Sequence, residues 1–187
     1  MAISRRSLIR GGIASALVLR SPLRALGAPA LIGRQQLDIR SLSFDCINTG
    51  EQLKAVDYWV EGEYVPDVLA AINRALRDFM SGEVYPIAPA LLDAMHQVGR
   101  RLETNARFEL LCGYRSPETN AKLSRMYSGV APHSLHMNGQ AADIALPGRP
   151  LREVHETALA LRAGGVGFYP DQNFVHIDIG RVRRWVG

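Results

Sequence analysis

Apolar residues recur along this chain at two spacings, and the switch between them sketches its architecture. Leu69, Ile72, Leu76 and Phe79 fall three and four positions apart, which predicts a helix over 66–80 with one buried face, stopped by Ser81–Glu83. Leu91, Leu92, Met95, Val98 and Leu102 repeat that spacing over 88–103, with Pro89 suited to a first helical turn. Ser116-Pro117 opens a third helix running to Tyr127, the serine as cap and the proline at the first helical position. Residues 151–163 read as a fourth. Strand-like runs occupy 37–48, which ends in a turn at Asn48–Glu51, then 108–113, 140–146, 164–170 and 174–180. Helices come first and short strands dominate the second half. The expected class is α+β, a small and mostly antiparallel sheet packed with helices in one domain.

Charge alters this picture only at the N-terminus. The chain has 187 residues and a formal charge of +4, but residues 1–30 hold five arginines and no acid. The remaining 17 basic side chains face 18 acidic ones, so no nucleic-acid partner is expected. Ser4–Arg10, SRRSLIR, is a twin-arginine pattern, followed by an apolar run, Gly11–Leu19, too short to span a bilayer. Small residues at Gly27–Ala30 suit cleavage near 27–30. A signal peptide over 1–30 and a mature domain over 31–187 follow, exported already folded to the periplasm with no transmembrane segment. Cys46 and Cys112 lack metal-ligand spacing; a disulfide between them and two buried free thiols both stay open.

Candidate chemistry centres on SLHMNGQAAD, residues 134–143. His136 and Asp143 can meet if the chain reverses at Asn138–Gly139, and Gly139 adopts a positive φ without penalty. His176 also lies beside an aspartate in a predicted strand. These three would supply the donor set of a catalytic zinc site, which uses three protein ligands and keeps a fourth position for water. His and Asp in isolation are usually structural, and spacing alone does not decide. His96 and His155 fall within predicted helices, where packing or surface roles suffice, and His133 reads as a loop residue without a ligand role.

Three blocks together resemble a known family. Ser134, His136, Gly139, Ala141 and Asp143 fill S-x-H-x-x-G-x-A-x-D, the signature of the zinc D-alanyl-D-alanine peptidases. GYRSPETN, Gly113–Asn120, is similar to their upstream G-Y-R-S segment. Residues 164–185 resemble the C-terminal block of the periplasmic, murein endopeptidase K-like subgroup. The resemblance implies an LAS-type metallopeptidase fold, hedgehog- and D,D-peptidase-like, over 31–187. It also implies a zinc ion held by His136, Asp143 and His176, and Arg115 binding substrate or steadying an oxyanion. Tyr114 and Ser116, next to Arg115, are expected to shape the substrate cleft. The implied activity is hydrolysis of peptidoglycan stem-peptide cross-links during cell-wall remodelling, by water that zinc activates.

One position departs from the family. Where many members carry a general base three residues before the last histidine, this chain has Asn173, which cannot take a proton. Asp178 shares a strand face with His176 and is expected to act as base or as a partner orienting that ligand; Asp171, in the preceding loop, is the alternative base. The departure leaves a second class open, a peptidoglycan-binding zinc domain with weak or no catalysis. A purely structural zinc domain is a third, marked by a closed fourth ligand. Endopeptidase and carboxypeptidase action, and D,D and L,D bonds, are not distinguished. Gly164–Gly167, GGVG, lacks the lysine and following helix of a phosphate loop, and Arg181–Trp185 reads as a basic tail with solvated arginines.

Overall fold

A computed structural model describes residues 37–127 and 129–187; the leader expected over residues 1–30 lies outside them. In chain order the elements are β1 (Ile39–Cys46), β2 (Gln52–Val60), β3 (Glu63–Tyr64), α1 (Pro66–Ala75), α2 (Pro89–Arg101), β4 (Phe108–Cys112) and α3 (Pro117–Met126). A short 3₁₀ helix, Leu135–Asn138, leads to β5 (Ala141–Ala145), α4 (Leu151–Leu161), β6 (Gly165–Tyr169), β7 (Phe174–Asp178) and β8 (Arg183–Val186). The class is α+β, as expected.

The sheet is wider than expected and mixed. Eight strands run in the order β3-β2-β1-β4-β5-β7-β6-β8, with β1–β4 and β6–β8 parallel and the other pairs antiparallel. Strands β2 and β3 escape the periodicity because β2 is irregular. Its register with β1 shifts twice, and Ala55 sits at φ +47°, so alternation is lost. One face of the central strands carries Ile144, Val175 and Ile177 into a core completed by Leu91, Leu92 and Met95 of α2 and Val154 of α4. The alternate positions Asp143, His176 and Asp178 therefore share the other face.

Helix boundaries follow their caps. Pro66, Pro89 and Pro117 each stand in a first turn, and Ser116 Oγ accepts from Thr119 N at 3.2 Å. Helix α1 stops at Ala75 rather than near 80 because the chain turns to meet the segment after β4. Leu76 O accepts from Tyr114 N at 2.8 Å, and Phe79, expected on the buried helical face, is left 41% exposed. No described helix is long and apolar enough to cross a membrane. Both cysteines are free and buried, and burial pushes the Cys46 thiol up to about 11.

The turn after α1 is organised by one buried carboxylate. Asp78 Oδ1 accepts from Met80 N at 2.8 Å and Ser81 N at 3.2 Å, while Oδ2 accepts from Ser116 N at 2.8 Å. Burial alone would raise its pKa, but hydrogen bonds from Thr119, Ser116 and Met80 outweigh it and hold the group well below the usual carboxylate range. Asp78→Asn is expected to cost roughly 1–3 kcal/mol at neutral pH by mispairing one of these buried N–H groups. Because the folded pKa is depressed, this stability is present above the unfolded value and lost on acidification through the folded one. The wild-type advantage, read by urea denaturation, should shrink below about pH 4.

Candidate metal centre

Strand register puts the predicted ligands side by side. Cys112 of β4 pairs with Asp143 of β5, Asp143 with His176 of β7, His176 with Gly167 of β6, and Gly167 with Trp185 of β8. Directly opposed residues point to the same side, so these five positions form one row across the sheet. His136 comes from the 3₁₀ helix above that row. Ser134 Oγ accepts from His136 N at 3.4 Å, and Gly139 ends the turn at φ +62°. A Cβ at Gly139 would stand 2.1 Å from Pro86 O, so both conformation and space demand glycine.

The outer ring nitrogens are already committed. His136 Nδ1 lies 2.7 Å from Gly113 O, a carbonyl that can only accept. His176 Nε2 lies 3.2 Å from Asp178 Oδ2. With a hydrogen on each of these atoms, neutral imidazoles turn bare His136 Nε2 and His176 Nδ1 inward. These two nitrogens are 3.2 Å apart, and Asp143 Oδ1 is 3.3 Å and 2.8 Å from them. Three lone pairs thus face one another among nearly buried side chains, an arrangement that calls for a cation. A tetrahedral ion with donors at about 2.0–2.1 Å has donor–donor edges of roughly 3.3–3.4 Å, close to the spacing observed. The residues present therefore fit a zinc ion.

Without a metal, protons must take its place. Burial disfavours a charged His136, but Cys112 and Asp143 beside it outweigh burial and push its pKa well above the ordinary imidazole value. Asp143 is likewise penalised by burial, and the two histidines reverse that and hold it far below the carboxylate range.

Asp178 stands on the opposite side of His176 from Asp143. Its side chain is fully buried; Oδ1 accepts from Gly165 N and Gly180 N, both at 2.8 Å, and Oδ2 pairs with Arg183 Nη2 at 2.7 Å. Burial would raise its pKa, yet hydrogen bonds from His176, Gly165, Arg183 and Gly180 keep it well below the usual range. This location suits a carboxylate that orients His176 and does not suit one that takes a proton on the inner side. Asp171 is exposed and does not line the cleft, and Asn173 occupies a left-handed turn position at φ +57°, a conformation asparagine tolerates well.

The centre opens into a cleft of about 880 Å³ walled by Leu123, Met126, Tyr127, Tyr169, Phe174 and Trp185. Arg115 reaches into it from the segment before α3. Its backbone N donates to His136 O at 3.2 Å, Nη1 donates to Asn120 Oδ1 at 3.3 Å, and Nη2 lies 3.9 Å from Asp143 Oδ2. Arg115 Nε is buried without a hydrogen-bond partner among the described residues.

Two expected cleft residues are elsewhere. Tyr114 is buried, stacked on Tyr85 with its hydroxyl donating to Glu83 Oε1 at 3.0 Å, and Ser116 is the buried cap of α3. In the irregular segment between β4 and α3, Arg115 faces the cleft while the residues on either side of it are buried.

The basic tail is also corrected: Arg183–Val186 is strand β8, parallel to β6. Trp185 lies over His176 with ring centroids 5.2 Å apart and donates Nε1–H to Tyr169 OH at 2.8 Å. Gly167, between them in the row, accounts for one glycine of the GGVG run. A Cβ there would stand 2.5 Å from the indole. Alternation is too short and too charged in RVRRW to announce a strand; the glycines opposite it were the available signal.

A family model described as peptidoglycan L,D-endopeptidase MepK matches residues 34–185. The peptidoglycan L,D-endopeptidase MepK of Escherichia coli K12 is 36% identical over 181 residues, 97% of this chain and 96% of its own. A probable peptidoglycan L,D-endopeptidase MepK of Haemophilus influenzae is 40% identical over 149 residues, covering 79% of this chain and 80% of its own. No solved structure matches.

Asp178→Asn should weaken zinc binding by roughly 10–100-fold, since losing the partner of His176 Nε2 frees the ring to turn and changes its basicity. Competition against a chromophoric chelator measures this, with circular dichroism checking the fold. Undiminished affinity would show that Asp178 does not orient the ligand.

Proposed function

This chain belongs to the peptidoglycan L,D-endopeptidase MepK family, and from that membership and its site we propose that it is a zinc-dependent peptidase hydrolysing stem-peptide cross-links of peptidoglycan. The relatives' names point to L,D bonds as the ones cleaved. The observation that carries the reading is the convergence of three lone pairs, from His136, Asp143 and His176, on the floor of a cleft beside Arg115. We further propose the LAS-type metallopeptidase fold, and action in the periplasm after twin-arginine export, which rests on the Ser4–Arg10 motif.

A bound zinc supplies Lewis acidity, lowering the pKa of water toward about 7 and polarising a carbonyl. The chain's own residues supply the rest. Arg115, always charged and nearly buried, stands where it can offset negative charge developing on the attacked carbonyl oxygen. Asp178, through His176 Nε2, keeps Nδ1 directed inward. The apolar and aromatic walls hold an extended peptide and thin out competing water. For the proton, neither Asp178 nor Asp171 is placed to serve. His133 is exposed on the cleft wall, and imidazole is the side-chain group suited to proton transfer near neutrality. We assign it the proton-accepting role.

The direct test supplies the purified protein with muropeptide dimers joined through an L,D or a D,D bond and follows product masses. Cleavage of the L,D dimer, abolished by a chelator, restored by zinc and absent in His136→Ala, is expected. Cleavage of the D,D dimer alone would overturn the bond assignment. Co-sedimentation with peptidoglycan without new chain ends would establish the binding-domain alternative instead.

Arg115→Ala should lower kcat by roughly 10²-fold or more while zinc content stays unchanged.

His133→Ala should lower kcat while zinc content stays unchanged. An unaltered kcat would move the proton to another acceptor.

A further inference from the structure

Cys112 is a buried free thiol that the proposed mechanism does not use, and it stands in the same register row as Asp143 and His176. Its Sγ and the ligating atoms of His136 and Asp143 all lie within 4.8 Å of one another. Arg115 Nη2 lies 3.4 Å from the sulfur and gives it a cationic neighbour. The thiol's other contact is weak, Gly113 O at 3.8 Å, so little holds it away from the centre. A buried cysteine beside an apolar core needs no further account. One set beside two of the three converged donors and a guanidinium is differently placed. Thiolate is among the strongest zinc donors, and three protein ligands leave one coordination position over.

We propose that Cys112 is a fourth, displaceable ligand of the metal centre. With metal bound and the cleft empty, Cys112 would complete the donor set as a thiolate, beside His136, Asp143 and His176. Substrate entering the cleft would displace it and free that position for water. This rests on His136, Asp143 and His176 holding a metal, and the experiment separates the two claims.

Metal-free full-length protein is titrated with cobalt(II), which takes up zinc geometry and reports on its donors by absorption. Wild-type protein should show visible ligand-field bands together with an intense near-ultraviolet thiolate-to-cobalt band. Cys112→Ser should lose the near-ultraviolet band and keep the visible ones; Cys46→Ser should keep both. An excess of uncleavable stem peptide should diminish the near-ultraviolet band in the wild type. Visible bands without the sulfur band in wild-type protein, or a sulfur band surviving in Cys112→Ser, would overturn the assignment while leaving the metal centre intact. Failure to retain cobalt at all would overturn the metal centre and this inference with it. Should Cys112→Ser not fold, X-ray absorption on the zinc-loaded wild type decides. One sulfur at about 2.3 Å supports the proposal, and a shell of nitrogen and oxygen alone overturns it.

Discussion

Everything at this centre depends on strand register. Cys112, Asp143, His176, Gly167 and Trp185 belong to five strands and meet because each is opposed to the next across the sheet. Side chains alternate with period two, so a one-residue slip of β7 against β5 would send His176 into the apolar core and bring Val175 or Ile177 to the cleft. The core prevents the slip. Ile144, Val175 and Ile177 are nearly fully buried against α2 and α4, and exposing them to water would cost more than any single polar contact at the site returns. The hydrophobic pattern on one face thus holds the chemistry on the other.

Burying so many charged and polar groups is itself costly, and the structure offsets it by pairing most of them. His136 Nδ1 finds a carbonyl, His176 Nε2 finds Asp178, and Asp178 is held in turn by Arg183 and two backbone N–H groups. Farther from the centre, Asp78 does the same for the loop that carries Arg115, fixing it through Ser116 N. Such fully partnered networks restrain ligand orientation more tightly than packing alone. The inward atoms of His136, Asp143 and His176, with Arg115 Nε beside them, are exceptions, and that imbalance is what identifies the site.

Much of the centre was legible in the chain because its signals are local. Residues 134–143 contain cap, ligand, left-handed glycine and second ligand within one turn and one strand, and the four helices announced themselves through apolar spacing and leading prolines. What escaped was set by distant partners. Strand β8 is recognisable only from the glycines it lies against, β2 is disguised by its bulge, and Tyr114 looks like a cleft residue until the turn after α1 is seen to cover it. The place of Asp178 behind His176 depended on ring orientation, which no spacing rule supplies.

Strand β7 lies between β5 and β6 although it follows both in the chain, so the β6–β7 hairpin must insert as a unit against β5. His136 and Asp143 lie 40 and 33 positions before His176, and the intervening loop contains all of α4. Contacts of such long sequence separation are gained late in folding, after the entropy of loop closure has been met. The three proposed ligands are therefore distributed over two folding units, and metal capture would report that those units have docked. A chain halted before that step would have only two of the three.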